Sequence, residues 1–321
     1  MPPSLTTIGS ATRDTFIVSK DITIIENKGD VTKQKLLAFE FGAKLTSEYF
    51  KSHVGGTAVN VSIGLSRQGI QTEVCSVIGN DNGGRNILKV LENEKVNTDL
   101  INVNNKKRTD CSLVMIDFKT RERTIFVHKD AGEDVEQDYS KINTDCIYVS
   151  SMKFKWRQKL KEVKDLVQET DKRLFFTPGI LQVRAGVEKM KNFLKAVEVI
   201  FLNEDECLEF VLPPKRQKTL TKVSKSDIKQ LAQKIASFGP KIVAITAGEK
   251  GAYILNDKEF LYFPSFSQKK KDITGAGDAF ASGFLAQYLK GGSLKQSGKN
   301  AVENAASVIS KIGTTDGLIK K

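Results

Sequence analysis

Two periods alternate along the chain. Short apolar runs at 7–9, 73–78, 112–117, 146–150, 174–177, 199–202 and 242–246 have the length and the polar boundaries of strands. Between them apolar residues recur every three or four positions. Ile87, Val90 and Leu91 form one stripe, Val183, Val187, Met190, Leu194 and Val197 a second, Ile228, Leu231, Ile235 and Phe238 a third, and Val302, Ala305, Ala306 and Ile309 a fourth. That spacing keeps one face of a helix apolar. Strand and helix in turn predict an α/β fold, a mostly parallel sheet with helices on both faces. Residues 15–53 interrupt the pattern, with β-like runs at 22–26 and 36–41 and no long helix between them. A second β-rich stretch, 111–128, surrounds the turn-like Lys119-Thr120-Arg121-Glu122. These two pieces read as a small sheet projecting from one main domain that takes in all of 1–321, since no repeat or low-complexity linker divides the chain. Residues 213–226 read as its one long polar loop.

Composition removes classes more than it adds them. Of 321 residues 40% are hydrophobic and 27% charged, enough for a large core and without the bias of a coiled coil or a disordered chain. No window approaches the ~18 uninterrupted apolar residues of a membrane span. The opening Met-Pro-Pro-Ser-Leu-Thr-Thr has neither the basic start nor the apolar stretch of a leader, so a cytoplasmic protein with no membrane partner is expected. The balance of 50 basic against 38 acidic residues, +12, first suggests nucleic acid as a partner. Forty of the fifty are Lys, scattered over predicted helix faces and not gathered into Arg-rich stripes, and the reading is therefore no nucleic acid. The cluster Lys215-Arg216-Gln217-Lys218 reads as a solvated loop, whereas Lys269-Lys270-Lys271 abuts a phosphate motif. Cys75, Cys111, Cys146 and Cys207 form no C-x-x-C pair and read as buried thiols, and His53 and His128 have no zinc-site spacing.

That phosphate motif is the strongest chemical signal: Asp272-Ile273-Thr274-Gly275-Ala276-Gly277-Asp278-Ala279-Phe280, leading into a helix with Phe280, Phe284 and Tyr288 on one face. Small residues at 275–277 let backbone N–H groups turn inward where the helix dipole adds its positive end, which makes an anion hole. It is not the dinucleotide fingerprint, because Phe280 stands where Gly or Ala is needed, and no P-loop occurs anywhere. Asp278 by itself is explained by the preference of a carboxylate for a helix N-terminus. Beside a phosphate cradle it is also placed to take a proton from an attacking hydroxyl.

The same motif resembles the C-terminal signature of the ribokinase (PfkB-type) family of carbohydrate and nucleoside kinases, and further matches run the length of the chain. Gly55-Gly56-Thr57-Ala58-Val59-Asn60-Val61, with Gly69 and Val77-Ile78-Gly79-Asn80-Asp81-Asn82-Gly83-Gly84, is similar to the family's N-terminal signature. Ile8-Gly9-Ser10-Ala11-Thr12-Arg13-Asp14 resembles its opening strand and substrate Asp. Asn203-Glu204-Asp205-Glu206 resembles the N-x-x-E motif, and Thr246-Ala247-Gly248-Glu249-Lys250-Gly251 the T-x-G-x-x-G nucleotide loop.

The resemblance implies a three-layer α/β/α sandwich with a mostly parallel central sheet and a small β-sheet lid, formed by 15–53 and 108–130, that closes to exclude water. It implies an ATP- and Mg²⁺-dependent kinase acting on a hydroxymethyl group of a sugar, sugar derivative or nucleoside. Asp278 would be the base, with Gly275, Ala276 and Gly277 as the anion hole. Asp14, Gly56 and Asn60 would hold the substrate hydroxyls. Asn203 and Glu206 would organise Mg²⁺ through water, while Thr246, Gly248, Gly251 and Asn304 would line the ATP site. Asp272 and Thr274 would hold a monovalent cation, K⁺. Two lids often pack together in ribokinase-like members, and a homodimer through the lid, over Leu37, Phe39 and Phe41, is expected. Tyr148-Val149-Ser150-Ser151-Met152 lacks the acid that ribokinases carry there, which turns the reading away from ribose itself. Two alternatives stay open: a sugar-phosphate kinase, with Arg13 or Lys153 on the second phosphate, and a sugar- or nucleotide-binding sensor without catalysis.

Overall fold

The computed structural model describes residues 2–26, 35–132, 137–212, 224–266 and 270–321. Its first half runs β1 (Leu5–Ile8), β2 (Thr12–Ser19), β3 (Thr23–Glu26), β4 (Lys35–Ala38), β5 (Tyr49–Gly55), α1 (Thr57–Ser66), β6 (Thr72–Gly79), α2 (Asn82–Asn93), β7 (Ile101–Asn104), β8 (Cys111–Asp117), β9 (Arg123–His128) and β10 (Cys146–Val149). The second half continues α3 (Trp156–Thr170), β11 (Arg173–Phe176), α4 (Ile180–Ala185), α5 (Val187–Leu194), β12 (Val197–Asn203), α6 (Glu204–Val211), α7 (Lys225–Ala236), β13 (Ile242–Thr246), β14 (Ala252–Leu255), β15 (Phe260–Phe263), α8 (Ala276–Leu289) and α9 (Leu294–Ile309).

Among these residues nine strands form one sheet in the order β15-β14-β13-β12-β11-β10-β1-β6-β7, parallel except for β14 and β15. Side chains alternate between its faces. Ile147, Val149, Ile200 and Leu202 pack with α3 to α7, and Cys146, Tyr148, Val199 and Phe201 with α1, α8 and α9. Burial on both faces is why these strands read as unbroken apolar runs. The antiparallel edge was not anticipated, because β14 and β15 are short and Gly251 makes the turn between β13 and β14 without an apolar signature. The stripe from Val183 to Val197 is not one helix: α4 stops before Gly186, α5 starts after it, and Val197 is already the first residue of β12. Of the polar loop expected at 213–226, residues 213–223 lie outside the described residues. Ser224 caps α7 by accepting the Asp227 N–H, so 225–226 are helix.

A second sheet, in the order β5-β2-β8-β9, stands off the first. It begins at Thr12, earlier than expected, so Asp14 belongs to it. Register sets Asp14, Phe16 and Val18 beside His53, Ser112, Val114, Ile116 and Tyr49, and the apolar members form a minor core with Ile312. The apolar face expected from Leu37, Phe39 and Phe41 is not formed by one strand. β3 and β4 make a separate two-stranded ribbon that ends at Ala38, and Phe41 is fully exposed in the turn beyond it, so Leu37, Phe39 and Phe41 do not alternate along one strand. Among the described residues no helix is long and apolar enough to cross a membrane.

Candidate active site

The carboxyl ends of β10, β11, β12 and β13 open onto a cavity of about 270 Å³, the place where open α/β sheets bind ligands. Thr57, Asn203, Glu206, Thr246, Gly277 and Asp278 are in its wall. Residues 220 positions apart in sequence meet here because α1 and α8 pack side by side under the sheet.

Gly275 caps α8 in the left-handed conformation, φ +80, and offers no side chain to the first turn. A Cβ there would lie 3.0 Å from Thr314, whereas around Gly277 nothing stands within 4 Å of where a Cβ would be. Ala276 N–H donates to Ile273 O at 3.4 Å, and the space beside Gly277 is open at the positive end of the helix dipole, a setting that favours an anion. Asp278, in that turn, is half-buried at the cavity wall. Burial raises its carboxyl to about 6, against hydrogen bonds from Asn60 and Thr57 that pull it down and the charge of Asp14 that adds to the rise. Asn60 Nδ2 donates to Asp278 Oδ2 at 2.7 Å. Its Oδ1 is buried with no hydrogen-bond partner among the described residues. A buried acceptor left open is costly, and a ligand hydroxyl would satisfy it.

Asp14 is a second carboxylate of the neighbourhood. Its Oδ1 accepts from Thr12 Oγ1 at 2.9 Å and from Ser112 Oγ at 2.7 Å, and burial raises its pKa in spite of both. Its Oδ2 lies where a Cβ on Gly55 would be 1.9 Å away, so Gly55 leaves the room that this carboxylate occupies. Gly56 serves the backbone: a Cβ there would lie 2.3 Å from Ser10 O. Thr12, Thr57 and Ser112 were missed by sequence reasoning, because a lone hydroxyl carries no pattern until its carboxylate partner is in place.

Asn203 and Glu206 are bound to each other. Asn203 N–H donates to Glu206 Oε2 at 2.9 Å, Glu206 N–H donates to Asn203 Oδ1 at 2.8 Å, and the pair caps α6. Burial raises the Glu206 carboxyl, with the charge of Asp278 adding to it. Asp272 ties two loops together: Oδ1 accepts from Thr274 N–H at 2.9 Å and Thr274 Oγ1 at 2.6 Å, and Oδ2 from Gly313 N–H at 3.2 Å. The Arg123 guanidinium lies within its field.

Three further positions lie outside the wall of this cavity. Asn304, expected beside the adenine, is fully enclosed: its Nδ2 donates to Ala279 O at 2.7 Å and its Oδ1 accepts from Ile319 N–H at 2.9 Å, so it binds α8 and the C-terminal segment to α9. Gly251 is buried where a Cβ would meet Phe263 O at 2.0 Å, which makes it a packing position of the β13–β14 turn. Gly248 is exposed in that turn and outside the cavity wall. Of the basic run before the phosphate motif, Lys269 lies outside the described residues and Lys270 pairs with Glu249.

Known proteins identify the family and the fold. The profile of the pfkB family carbohydrate kinases matches residues 14–321. A protein of Archaeoglobus fulgidus described as an uncharacterized sugar kinase is 31% identical over 261 residues, 80% of this chain and 98% of its own. Among solved structures, adenosine kinase from Sinorhizobium meliloti superposes with a TM-score of 0.78 at 17% identity, covering 100% of this chain and 97% of that one. Ribokinase from Cryptococcus neoformans var. grubii in complex with ADP does so at 0.76 and 19% identity, covering 98% and 96%. At such identities these two establish the fold.

Proposed function

The chain belongs to the pfkB family of carbohydrate kinases, and on that footing we propose that it transfers the γ-phosphate of ATP to a hydroxymethyl group of a sugar, sugar derivative or nucleoside, with Asp278 as the base. The observation that carries this reading is the Asn60–Asp278 pair: a carboxyl raised to about 6 at the opening of a helix, and beside it a buried amide oxygen that lacks a donor among the described residues. An acceptor hydroxymethyl between them would be held close to both. As its O–H proton passes to Asp278, the oxygen bonds to the γ-phosphorus, and the bond from that phosphorus to the β–γ bridging oxygen breaks to leave ADP. The N–H groups at Gly275, Ala276 and Gly277 would carry the charge of the transferring phosphoryl group. ADP release measured with a panel of sugars and nucleosides tests the reading, and no acceptor-stimulated release with any of them would sink it.

Asp14 would hold other hydroxyls of the acceptor, since Oδ2 carries no hydrogen bond among the described residues while Oδ1 is fixed by Thr12 and Ser112. Asp14→Ala is expected to raise the acceptor KM about tenfold or more, the loss of a hydrogen bond to a charged group, and to leave the ATP KM nearly unchanged. Equal rises in both constants would remove Asp14 from the acceptor site.

Glu206 would hold magnesium through a bridging water: Oε2 is fixed by Asn203, and the other oxygen has no hydrogen bond among the described residues. With water and phosphate oxygens completing the shell, that is how magnesium is commonly held. Bound there, the ion supplies charge neutralisation at the phosphates. Asp272 and Thr274 would hold K⁺, Asp272 through its remaining lone pair. Because Arg123 already offsets part of that carboxylate's charge, K⁺ is expected to raise turnover severalfold and not to switch it on from zero. A rate that is flat from zero to high K⁺ would discard this assignment.

A further inference from the structure

Two hydroxyls beside the 270 Å³ cavity take no part in the chemistry described so far. Tyr148 is in β10 and Thr177 is the first residue after β11. Phe175 stands opposite Tyr148 in register, and Thr177, two residues on, falls on the same face of the sheet. Tyr148 Oη and Thr177 Oγ1 lie 2.6 Å apart.

Which of them donates follows from what else each can reach. Tyr148 is fully buried, it does not line the cavity, and Thr177 is the one hydrogen-bond partner of its hydroxyl among the described residues. A buried phenol that only accepted would be left with an unmade O–H bond, which is costly. Burial, followed by the charge of Asp278, pushes its pKa up, so the phenol keeps its proton. Tyr148 therefore donates to Thr177. That bond occupies one lone pair of Thr177 Oγ1 and leaves the threonine's own proton to be given elsewhere. Thr177 is half-buried in the cavity wall and its hydroxyl has no acceptor among the described residues, which turns that proton toward the cavity.

The occupant it would meet is set by the rest of the wall. Gly277 and Asp278 in the first turn of α8 are part of it, and so is Glu206, whereas Asp14 is not. The transferring phosphate and its magnesium belong on this side of the site, and the remaining hydroxyls of the acceptor on the other. Resting on the kinase reading above, we propose that Thr177 is a further catalytic residue: its hydroxyl donates a hydrogen bond to an oxygen of the γ-phosphoryl group of bound ATP and keeps that bond as the group transfers, while Tyr148 positions it. A threonine hydroxyl on its own rotates among staggered positions. With the phenol fixed on one lone pair, the donor is aimed before ATP arrives, and a preorganised donor costs no reorganisation during transfer.

Thr177→Val keeps the shape and removes the hydroxyl, but it also strands the Tyr148 phenol, so the decisive variant is Tyr148→Phe combined with Thr177→Val, which removes both partners and leaves no buried hydroxyl unpaired. Expected is a lowered Tm for Thr177→Val that returns close to wild type in the double variant. In both, kcat/KM for ATP, measured with the most active acceptor of the sugar and nucleoside panel, should fall about tenfold to a hundredfold, the loss of a hydrogen bond to a charged group, while the acceptor KM holds. Thr177→Ser, which carries the same donor, should recover most of that loss, and Tyr148→Phe alone should cost less than Thr177→Val. A double variant that regains wild-type kcat/KM together with its Tm overturns the proposal and leaves the pair a structural link, with the kinase reading intact. If no acceptor stimulates ADP release, the kinase reading is what fails. Calorimetric titration with ATP and with ADP, each with magnesium, then decides the hydroxyl, and it does so also if the double variant keeps the lowered Tm. ATP bound about tenfold more weakly by the double variant, with ADP affinity unchanged, supports the contact. Equal losses for the two nucleotides, no loss for either, or no ATP binding by the wild type removes it.

Discussion

Asp278→Asn is expected to lower kcat by about 10²–10⁴, the usual cost of removing a positioned general base, with the ATP KM little changed. The amide keeps the size of the carboxyl and an oxygen for Asn60 Nδ2, which now donates at 2.7 Å. What it loses is the ability to take a proton. The pH profile makes the test more specific. With the wild-type carboxyl raised to about 6, its basic form disappears as pH falls through that value, so kcat/KM should drop tenfold per unit below it, and the residual rate of the variant should not follow that limb. Stability should move the other way. Burial and Asp14 raise the group from its ordinary 3.8 to about 6, so the folded state binds the proton more tightly than the unfolded chain. Its favourable contribution is complete below about 3.8 and is lost as pH rises through 6. At pH 7 the ionised group is therefore a cost, and the uncharged amide should give a Tm no lower than wild type. A variant with near wild-type turnover would remove Asp278 as base, and one that loses rate and Tm together would mean the site had collapsed.

Gly56→Ala is expected to cost about 3 kcal/mol or more of stability. Two independent penalties add there. The residue has φ +92, which L side chains adopt only under strain of about 1–3 kcal/mol, and its new Cβ would lie 2.3 Å from Ser10 O and 2.7 Å from Ser10 C. Both obstacles are main-chain atoms, so no rotamer change relieves them. α1, which carries Asn60, would have to shift away from the 9–11 segment that leads to Asp14, and activity should fall with stability. The comparison variant is Gly291→Ala, also at positive φ but with nothing within 4 Å, expected to cost about 1 kcal/mol. Urea midpoints at unchanged m read the difference, and equal losses for the two variants would refute the close approach of Gly56 to Ser10.

The layered fold was legible because the central strands are buried on both faces and most helices on one, so the periods of burial are written directly into residue type. Asp278 and the small residues before it were legible for a related reason: a helix N-terminus that must leave its N–H groups open needs a local run of side chains that keep out of the way. Boundaries and edges were less visible. Nothing in Val183–Val197 announces that Gly186 ends one helix and that Val197 opens a strand, since a valine serves either period.

The site divides along the same line. Local backbone geometry and residue chemistry, both set within a few positions, pointed to Gly275–Asp278, while Asn203, Glu206 and the glycines at 55 and 56 entered through short motifs that resemble those of the ribokinase family. Long-range packing alone assigned the partners: Asn60 on Asp278, Ser112 on Asp14, Gly55 making room for Asp14 and not merely turning the chain, and Asn304 on Ala279 and Ile319. It also joined Tyr148 to Thr177. These contacts join strands and helices far apart along the chain, and a side chain's neighbours across such distances follow from how whole layers pack, which no local spacing encodes.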